Sequence, residues 1–393
     1  MKINSRLQRR YTFKGLCINL LVSSTVLMLF FVAVEMLLRT THLFGARTSW
    51  SKPDRIIGYR YVSGSRYWFK GENDHPIVGQ INRYGWRDKE WSLKKPHDTY
   101  RIAVLGDSYV EAFQVESEST FLALVESRMK ANGNRRVEMM NFGRSGFTQT
   151  EELLLLKDDV RRFSPDLVIL FFFPGNDIAE VSPATAGGLQ RPFYHESANG
   201  KLTLDTSFVE AFAFKARYPL TWLKQRSALI NLIYERHKYW HLKRAAARYS
   251  GGQNRLSGTV SLCTSNPNET FLKNYRLVKR LVRAIVEYCA DNDIQFMLVT
   301  TSTRAYLPQF EERYYAIDST FNPNFFEDDM DRYAESLGVE HVGMQRIFNE
   351  HYKTTENALH WTHWNYEGHK LVADILSCKL MSMIHWSVGE KGE

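Results

Sequence analysis

From residue 101 onward, short apolar runs alternate with segments of helical spacing. That is the pattern a parallel sheet with crossover helices leaves in a sequence. Ile102 to Leu105 reads as a short buried strand, cut off by Gly106-Asp107. Glu118 to Asn132 reads as a helix ending at Gly133, and Val137 to Asn141 as the second strand. Thr148 and Glu151 stand at capping-box spacing, so a helix starts just after the loop Gly143-Arg-Ser-Gly146. Leu167 to Phe173 is a continuous apolar run, as expected of a strand buried on both faces. The clearest helix is Phe271 to Cys289, where Phe271, Tyr275, Val278, Val282, Ile285 and Cys289 share one face. Ile294 to Thr300 and Val339 to Val342 are the remaining strands, and Asn365 can cap a closing helix through Leu371, Ile375 and Cys378. These elements predict one α/β domain over 101–386, with an unmatched insertion between about 183 and 268 and a tail at 387–393.

Upstream the pattern changes. Residues 15–38 form the longest apolar run, broken only by Asn19 and Glu35, and meet the roughly 20 residues a bilayer span needs. A cleaved signal peptide would fit the same run, but no small-residue cleavage site follows it. An uncleaved anchor is the better reading. A basic tail, 1–14, precedes it, although Arg39, Arg47, Lys52 and Arg55 follow closely and weaken the charge bias. The favoured orientation puts the amino end in the cytoplasm and the main domain in the periplasm or outside the cell. Residues 39–100 carry many Tyr, Trp, Arg and Gly without periodicity, an apron expected to pack on the main domain. Within it Tyr84, Trp86 and Arg87 are candidates for facing a substrate.

Charge narrows the function classes. Of the net +8, five charges (Lys2, Arg6, Arg9, Arg10 and Lys14) lie in the first 14 residues, leaving +3 for the rest. Nucleic-acid binding thus has no global electrostatic support. Between Lys215 and Arg255 there are ten basic residues against one acid, Glu235, with Tyr218, Trp222, Tyr234, Tyr239, Trp240 and Tyr249 interleaved. Such a stretch fits a solvated helical hairpin whose aromatics pack inward, a membrane surface, or an anionic polysaccharide. The four cysteines form neither a disulfide framework nor a metal pattern, and Cys289 reads as a core thiol. No P-loop or dinucleotide fingerprint occurs, so no cofactor is expected.

Ser108 sits just past the end of the first predicted strand, where the chemistry of open α/β sheets collects. A helix N-cap would explain it equally well. The order of three further blocks down the chain favours a nucleophile: Asn141-Phe-Gly143, then Gly175-Asn-Asp177, then His363. Together these blocks resemble the SGNH (GDSL-type) hydrolase family, over roughly residues 100 to 380. The segment Ile81-Asn-Arg-Tyr-Gly-Trp-Arg-Asp88 makes the chain look closest to the membrane-anchored branch found with bacterial exopolysaccharide machinery.

The resemblance implies a flavodoxin-like three-layer sandwich and a serine-dependent ester hydrolase or O-acyltransferase. Ser108 would be the nucleophile and His363 the base, with an oxyanion hole from the backbone N–H groups of Ser108 and Gly143 and the Asn176 side chain. Asp107 reads as structural. Substrates would be acylated (above all acetylated) envelope or extracellular carbohydrates or small esters, with polysaccharide machinery as a partner. Two departures stand out. Trp361 and His360 occupy the positions where the family usually has an Asp before its catalytic His, and Pro174 replaces a Gly in the third block. Three readings stay open: a Ser-His dyad, a displaced acid such as Glu356 or Glu367, or an impaired, carbohydrate-binding scaffold.

Overall fold

The computed structural model describes residues 3–384 except 46, 132–136, 198, 250–255 and 257, with side chains undescribed at 3–12 and 241–250. Two compact units are distinguished: Met1–Trp50 with Arg217–Gly251, and Ser51–Ala216 with Gly252–Glu393.

The larger unit is a three-layer α/β sandwich. Its sheet strands are β1 (Tyr100–Gly106), β2 (Val137–Gly143), β3 (Leu167–Phe172), β4 (Gln295–Thr300) and β5 (Glu340–Gly343). All pair in parallel, in the order β2-β1-β3-β4-β5. Side chains alternate between two cores. Ile102, Val104, Ile169, Phe171 and Val299 enter the layer shared with helices Phe121–Ala131, Gln345–Thr355 and Tyr366–Met383. Ala103, Leu105, Leu170, Phe172 and Leu298 enter the layer of helices Gln149–Asp158, Glu269–Asp291 and Phe325–Leu337. Each such large side chain contributes about 1.5–3 kcal/mol on burial, so the two apolar layers fix the strands in place. Order reverses between β1 and β3, the switch point at which doubly wound sheets place their ligands.

The predicted boundaries shift by a few residues. The helix expected from Glu118 begins with a short turn at Ser117–Ser119 and runs Phe121–Ala131; its predicted end, Asn132, lies outside the described residues. The capping box at Thr148 forms with both of its bonds, and Asn365 accepts from the Gly368 N–H. Three helices lie outside the predicted elements: Pro308–Ile317, Phe325–Leu337 and Gln345–Thr355.

The aperiodic apron is two short hairpins, Ser51–Asp54 with Gly58–Tyr61 and Arg66–Phe69 with Ile77–Gln80, followed by a strap across the sheet edge. That edge is β2, whose outward N–H groups need acceptors. Glu126 takes Met139 N–H (3.0 Å), Asp88 takes Asn141 N–H (2.8 Å) and the Asn141 side chain takes Gly143 N–H (2.9 Å). Trp86 and Arg87 are buried in the strap rather than facing a substrate. Trp86 lies under the Arg144 guanidinium, 4.3 Å away. Arg87 donates to the carbonyls of Glu111 (2.9 Å) and Val115 (2.5 Å) and to Tyr67 (3.0 Å). Tyr84 packs edge-on against Phe163, with ring centroids 5.0 Å apart.

In the smaller unit one helix runs Ile3–Thr41, and its stretch Phe13–Thr41 is long and apolar enough to cross a membrane. That much fits an anchor or a signal sequence. The basic stretch forms a helical hairpin, Arg217–Arg226 and Ala228–Tyr249. Glu35 caps its second helix, accepting from Ala228 N–H (2.7 Å), Leu229 N–H (3.0 Å) and the Ser227 hydroxyl (2.8 Å). A carboxylate there answers the positive end of the helix dipole. Of the interleaved aromatics, Tyr218, Trp222, Tyr239 and Trp240 are exposed, not packed inward.

Candidate active site

Ser108 lies just past the end of β1. Asp107 caps the single helical turn Ser108–Glu111, accepting from Tyr109 N–H at 2.9 Å, which gives that acid its structural role. The turn packs closely on the end of β2. A Cβ on Gly143 would lie 2.5 Å from the Glu111 nitrogen, so only glycine fits. Asn141 donates to the Val110 carbonyl (3.0 Å), and the buried Glu111 carboxylate takes the Tyr61 hydroxyl (2.6 Å) and the Ser145 N–H (2.9 Å). The serine is therefore held from both sides.

His363 stands over it, with Nε2 2.7 Å from Ser108 Oγ. Its Nδ1 lies 2.6 Å from Oε1 of Glu72, a residue to which no sequence motif pointed. The other oxygen of Glu72 accepts the backbone N–H groups of Thr362 (2.9 Å) and His363 (2.7 Å). Glu72 thus fixes both the ring and the peptide that carries it. With Nδ1–H donated to the carboxylate, Nε2 keeps its lone pair toward the serine, the arrangement a serine nucleophile requires of its base. Glu72 sits in the loop between the hairpin strands Arg66–Phe69 and Ile77–Gln80. The loop is tied down by Asn73, which donates to Tyr366 (2.7 Å) and to the Gln114 carbonyl (3.3 Å).

The acids proposed from sequence lie elsewhere. Glu356 ends helix Gln345–Thr355 in a left-handed conformation, exposed. Glu367 is exposed and pairs at 4.0 Å with Lys370. His360, at one of the usual Asp positions, is buried against Tyr306 (Nδ1 to hydroxyl, 3.0 Å), and burial pushes its pKa down to about 3. His369 lies inside the closing helix, where its Nδ1 accepts from Phe121 N–H at 3.3 Å.

Charge tunes the pair. Burial would depress His363, but the bonded Glu72 carboxylate and the nearby Asp107 and Glu111 outweigh it, and its pKa is raised above the ordinary 6.5. Burial would raise Glu72, yet its bonds from His363 and Thr362 bring it below the usual carboxylate range. Beneath lies a buried acid cluster. Burial pushes Asp107 up to about 6, and burial with mutual repulsion raises Asp177 and Glu152 well above the usual range.

Two of the donors the resemblance implies for an oxyanion, Gly143 N–H and the Asn176 amide, are engaged with protein acceptors. Gly143 N–H is taken by Asn141. The Asn176 amide nitrogen donates to the Phe147 carbonyl (3.0 Å) and to Asp177 (3.3 Å). Around the serine, the backbone N–H groups of Ser108 and Gly146 have no protein acceptor among the described residues. Gly146 has φ +74 in the turn that Asn176 grips through Phe147, and open space around it. The sequence signal for it was the second glycine of Gly143-Arg-Ser-Gly146. Pro174 leaves the third block intact, since Phe173 N–H reaches Asp177 at 2.9 Å and Asn176 opens the turn Asn176–Ala179.

No protein-family model matches the sequence, and no curated protein does. Among solved structures, the chain is similar to the acetyl xylan esterase AlAXEase, with a TM-score of 0.39 and 15% identity over 72% of this chain and 100% of that one. It is also similar to LAE5, an alpha/beta hydrolase enzyme from the metagenome of Lake Arreo, with a TM-score of 0.41 and 14% identity over 75% and 99% of the two chains. A third is a lipolytic protein of the G-D-S-L family from Desulfitobacterium hafniense DCB-2, with a TM-score of 0.34 and 13% identity over 71% and 98%.

Proposed function

We propose that this chain is a serine-dependent esterase or O-acyltransferase, acting on acyl groups of an envelope or extracellular carbohydrate. The reading rests on one observation, the continuous line from Ser108 Oγ through His363 to the Glu72 carboxylate. In the reaction, Ser108 Oγ attacks the ester carbonyl while His363 Nε2 takes its proton. The oxyanion that forms receives the N–H groups of Ser108 and Gly146. Collapse breaks the ester C–O bond, and His363 returns the proton to the departing alcohol. Water, or a sugar hydroxyl in the transferase case, then attacks the acyl-serine with His363 again as base. Glu72 holds the reactive tautomer and stabilises the imidazolium at each step. Asn176 keeps the Gly146 turn in place by gripping Phe147.

The scaffold alternative drew its support from a missing acid, and Glu72 supplies one. We further propose that the helix through 15–38 is an uncleaved anchor, with the amino end cytoplasmic and the sheet unit periplasmic or extracellular, where acylated polysaccharide and its machinery would be met. The test is labelling with a serine-reactive fluorophosphonate. Wild type should label, Ser108→Ala should not, and Glu72→Gln should label far more slowly. Equal labelling of wild type and Ser108→Ala would overturn the reading.

A further inference from the structure

One cavity borders the site. Its volume is about 230 Å³, and its lining includes Tyr109, Gly175 and Thr362, the sequence neighbours of Ser108, Asn176 and His363, with the Tyr109 ring 5.0 Å from that of His363. The far walls are aromatic: Phe310, Tyr314, Phe321 and Phe326. Into this apolar space Arg304 brings a positive charge. Its guanidinium stacks on Phe310, 4.8 Å from the ring centroid. Among the described residues it makes no ion pair and no side-chain hydrogen bond, although it is only partly exposed. The other partly buried arginines of this unit, Arg60, Arg128, Arg191 and Arg280, each bind a carboxylate or carbonyl.

A guanidinium withdrawn from water without a partner is costly unless something else satisfies it. Its planar fork is matched to a carboxylate. Apolar walls beside that fork suit a short methylene chain. A hydroxyl-rich sugar ring in the same space would leave its polar groups unpaired. The volume would hold roughly seven waters at about 30 Å³ each, hence an acyl chain of about that many heavy atoms.

We infer that this cavity is the acyl pocket and that it selects a half-ester of a short dicarboxylic acid, whose free carboxylate pairs with Arg304. The inference rests on Ser108 being the nucleophile. It narrows the acyl group from acetyl to a succinyl-sized anion, and it makes Arg304 the specificity residue. The chemical step is unchanged: the acyl carbon passes from the alcohol oxygen to Ser108 Oγ, and the distal carboxylate stays ionised throughout.

The experiment compares p-nitrophenyl hemisuccinate with the neutral, similarly sized p-nitrophenyl valerate, using the full chain in detergent. Wild type should prefer the hemisuccinate in kcat/KM. Arg304→Gln should cut that ratio by roughly 10- to 100-fold, the range for losing one charge-assisted hydrogen bond, and Arg304→Lys should restore part of it. Melting temperatures would confirm that both variants fold. No preference, or one that Arg304→Gln leaves intact, would overturn the pocket while leaving the serine reading standing. So would an Arg304-dependent preference confined to acetyl esters of sugar acids, which would place the alcohol half in the cavity. Should no ester turn over at all, titration of Ser108→Ala protein decides. Monomethyl succinate binding more tightly than methyl valerate, and losing that advantage in Arg304→Gln, would uphold the pocket; equal or absent binding would refute it.

Discussion

Glu72 and His363 are separated by 291 residues in sequence and by 2.6 Å in space. Because the carboxylate fixes the tautomer of the base, Glu72→Gln should lower kcat by roughly 1,000- to 10,000-fold, the scale known for amide replacement of a triad acid. Glu356→Gln and Glu367→Gln, exposed and in no contact with His363, should keep nearly full rate. Steady-state hydrolysis of p-nitrophenyl esters by the three variants checks this. A Glu72→Gln enzyme within tenfold of wild type would show that Ser108 and His363 suffice as a dyad.

The same contact sets the pH profile. The proposed base His363 can accept a proton only when neutral, and its pKa is raised. The acid limb of kcat/KM should therefore fall above pH 6.5, with activity lost as pH drops through the raised value. Removing the Glu72 charge takes away the main cause of the rise. In Glu72→Gln the limb should move to lower pH even as the maximum rate falls. A limb that stays in place would detach it from this pair.

Asn176 and Gly143 should separate function from packing. Asn176→Ala frees the turn that carries the Gly146 N–H. Loss of one oxyanion donor typically costs about 100- to 1,000-fold in kcat, and a loss on that scale with little change in melting temperature is expected. Gly143→Ala instead drives a methyl into the Glu111 backbone, and overpacking of this kind costs about 1–3 kcal/mol. Its melting temperature should drop. Thermal melts beside kinetics on both variants would expose a reversal of these roles.

The acid cluster under the site makes a prediction of opposite character. Glu152 is fully buried, neither of its oxygens is hydrogen-bonded, and Gln149 gives its amide to Asp177 instead (2.6 Å). The folded protein keeps Glu152 protonated well above 4.5, while the unfolded chain releases that proton near 4.5. Stability is thus lost as pH rises through that window, by about 1.4 kcal/mol per pH unit for one group. Glu152→Gln should raise the melting temperature, and by more at pH 8 than at pH 5. A gain that ignores pH, or a loss at pH 8, would show that the carboxylate has a partner it needs.

Much of the sheet unit was legible because its signals are local. A run such as Leu167 to Phe172 declares a buried strand by itself, and the stripe from Phe271 to Cys289 declares its helix. Ser108 and His363 were legible from motif order. Glu72 was not, since a loop carboxylate has no period and no fixed spacing to the histidine it serves. The choice between Gly143 and Gly146 was hidden for another reason. Gly143 ends β2 and Gly146 lies three residues on, and only the edge position of β2, which hands Gly143 N–H to Asn141, decides which is spare. Helix Pro308–Ile317 buries no residue fully, so its pattern is faint, whereas Gln345–Thr355 is strongly one-sided and still lies outside the predicted elements. Of the readings left open for the basic hairpin, that of inward-packed aromatics does not hold for four of them, which are exposed.

The hairpin that carries Glu72 has strands of four residues each. A ribbon this short is marginal by itself and keeps its shape through docking. It is held by Phe69 stacked on Phe113, ring centroids 5.5 Å apart, by the buried Tyr67 that accepts from Arg87, and by the Asn73 bonds. The β1–β3–β4 centre, by contrast, is sealed on both faces. Local opening of the hairpin therefore costs far less than melting the sheet. On heating, the proposed triad would come apart before the protein unfolds: the loop swings away and takes the carboxylate with it, while the serine and its sheet remain in place. Inactivation would be reversible over that interval, and its midpoint would fall below the calorimetric transition.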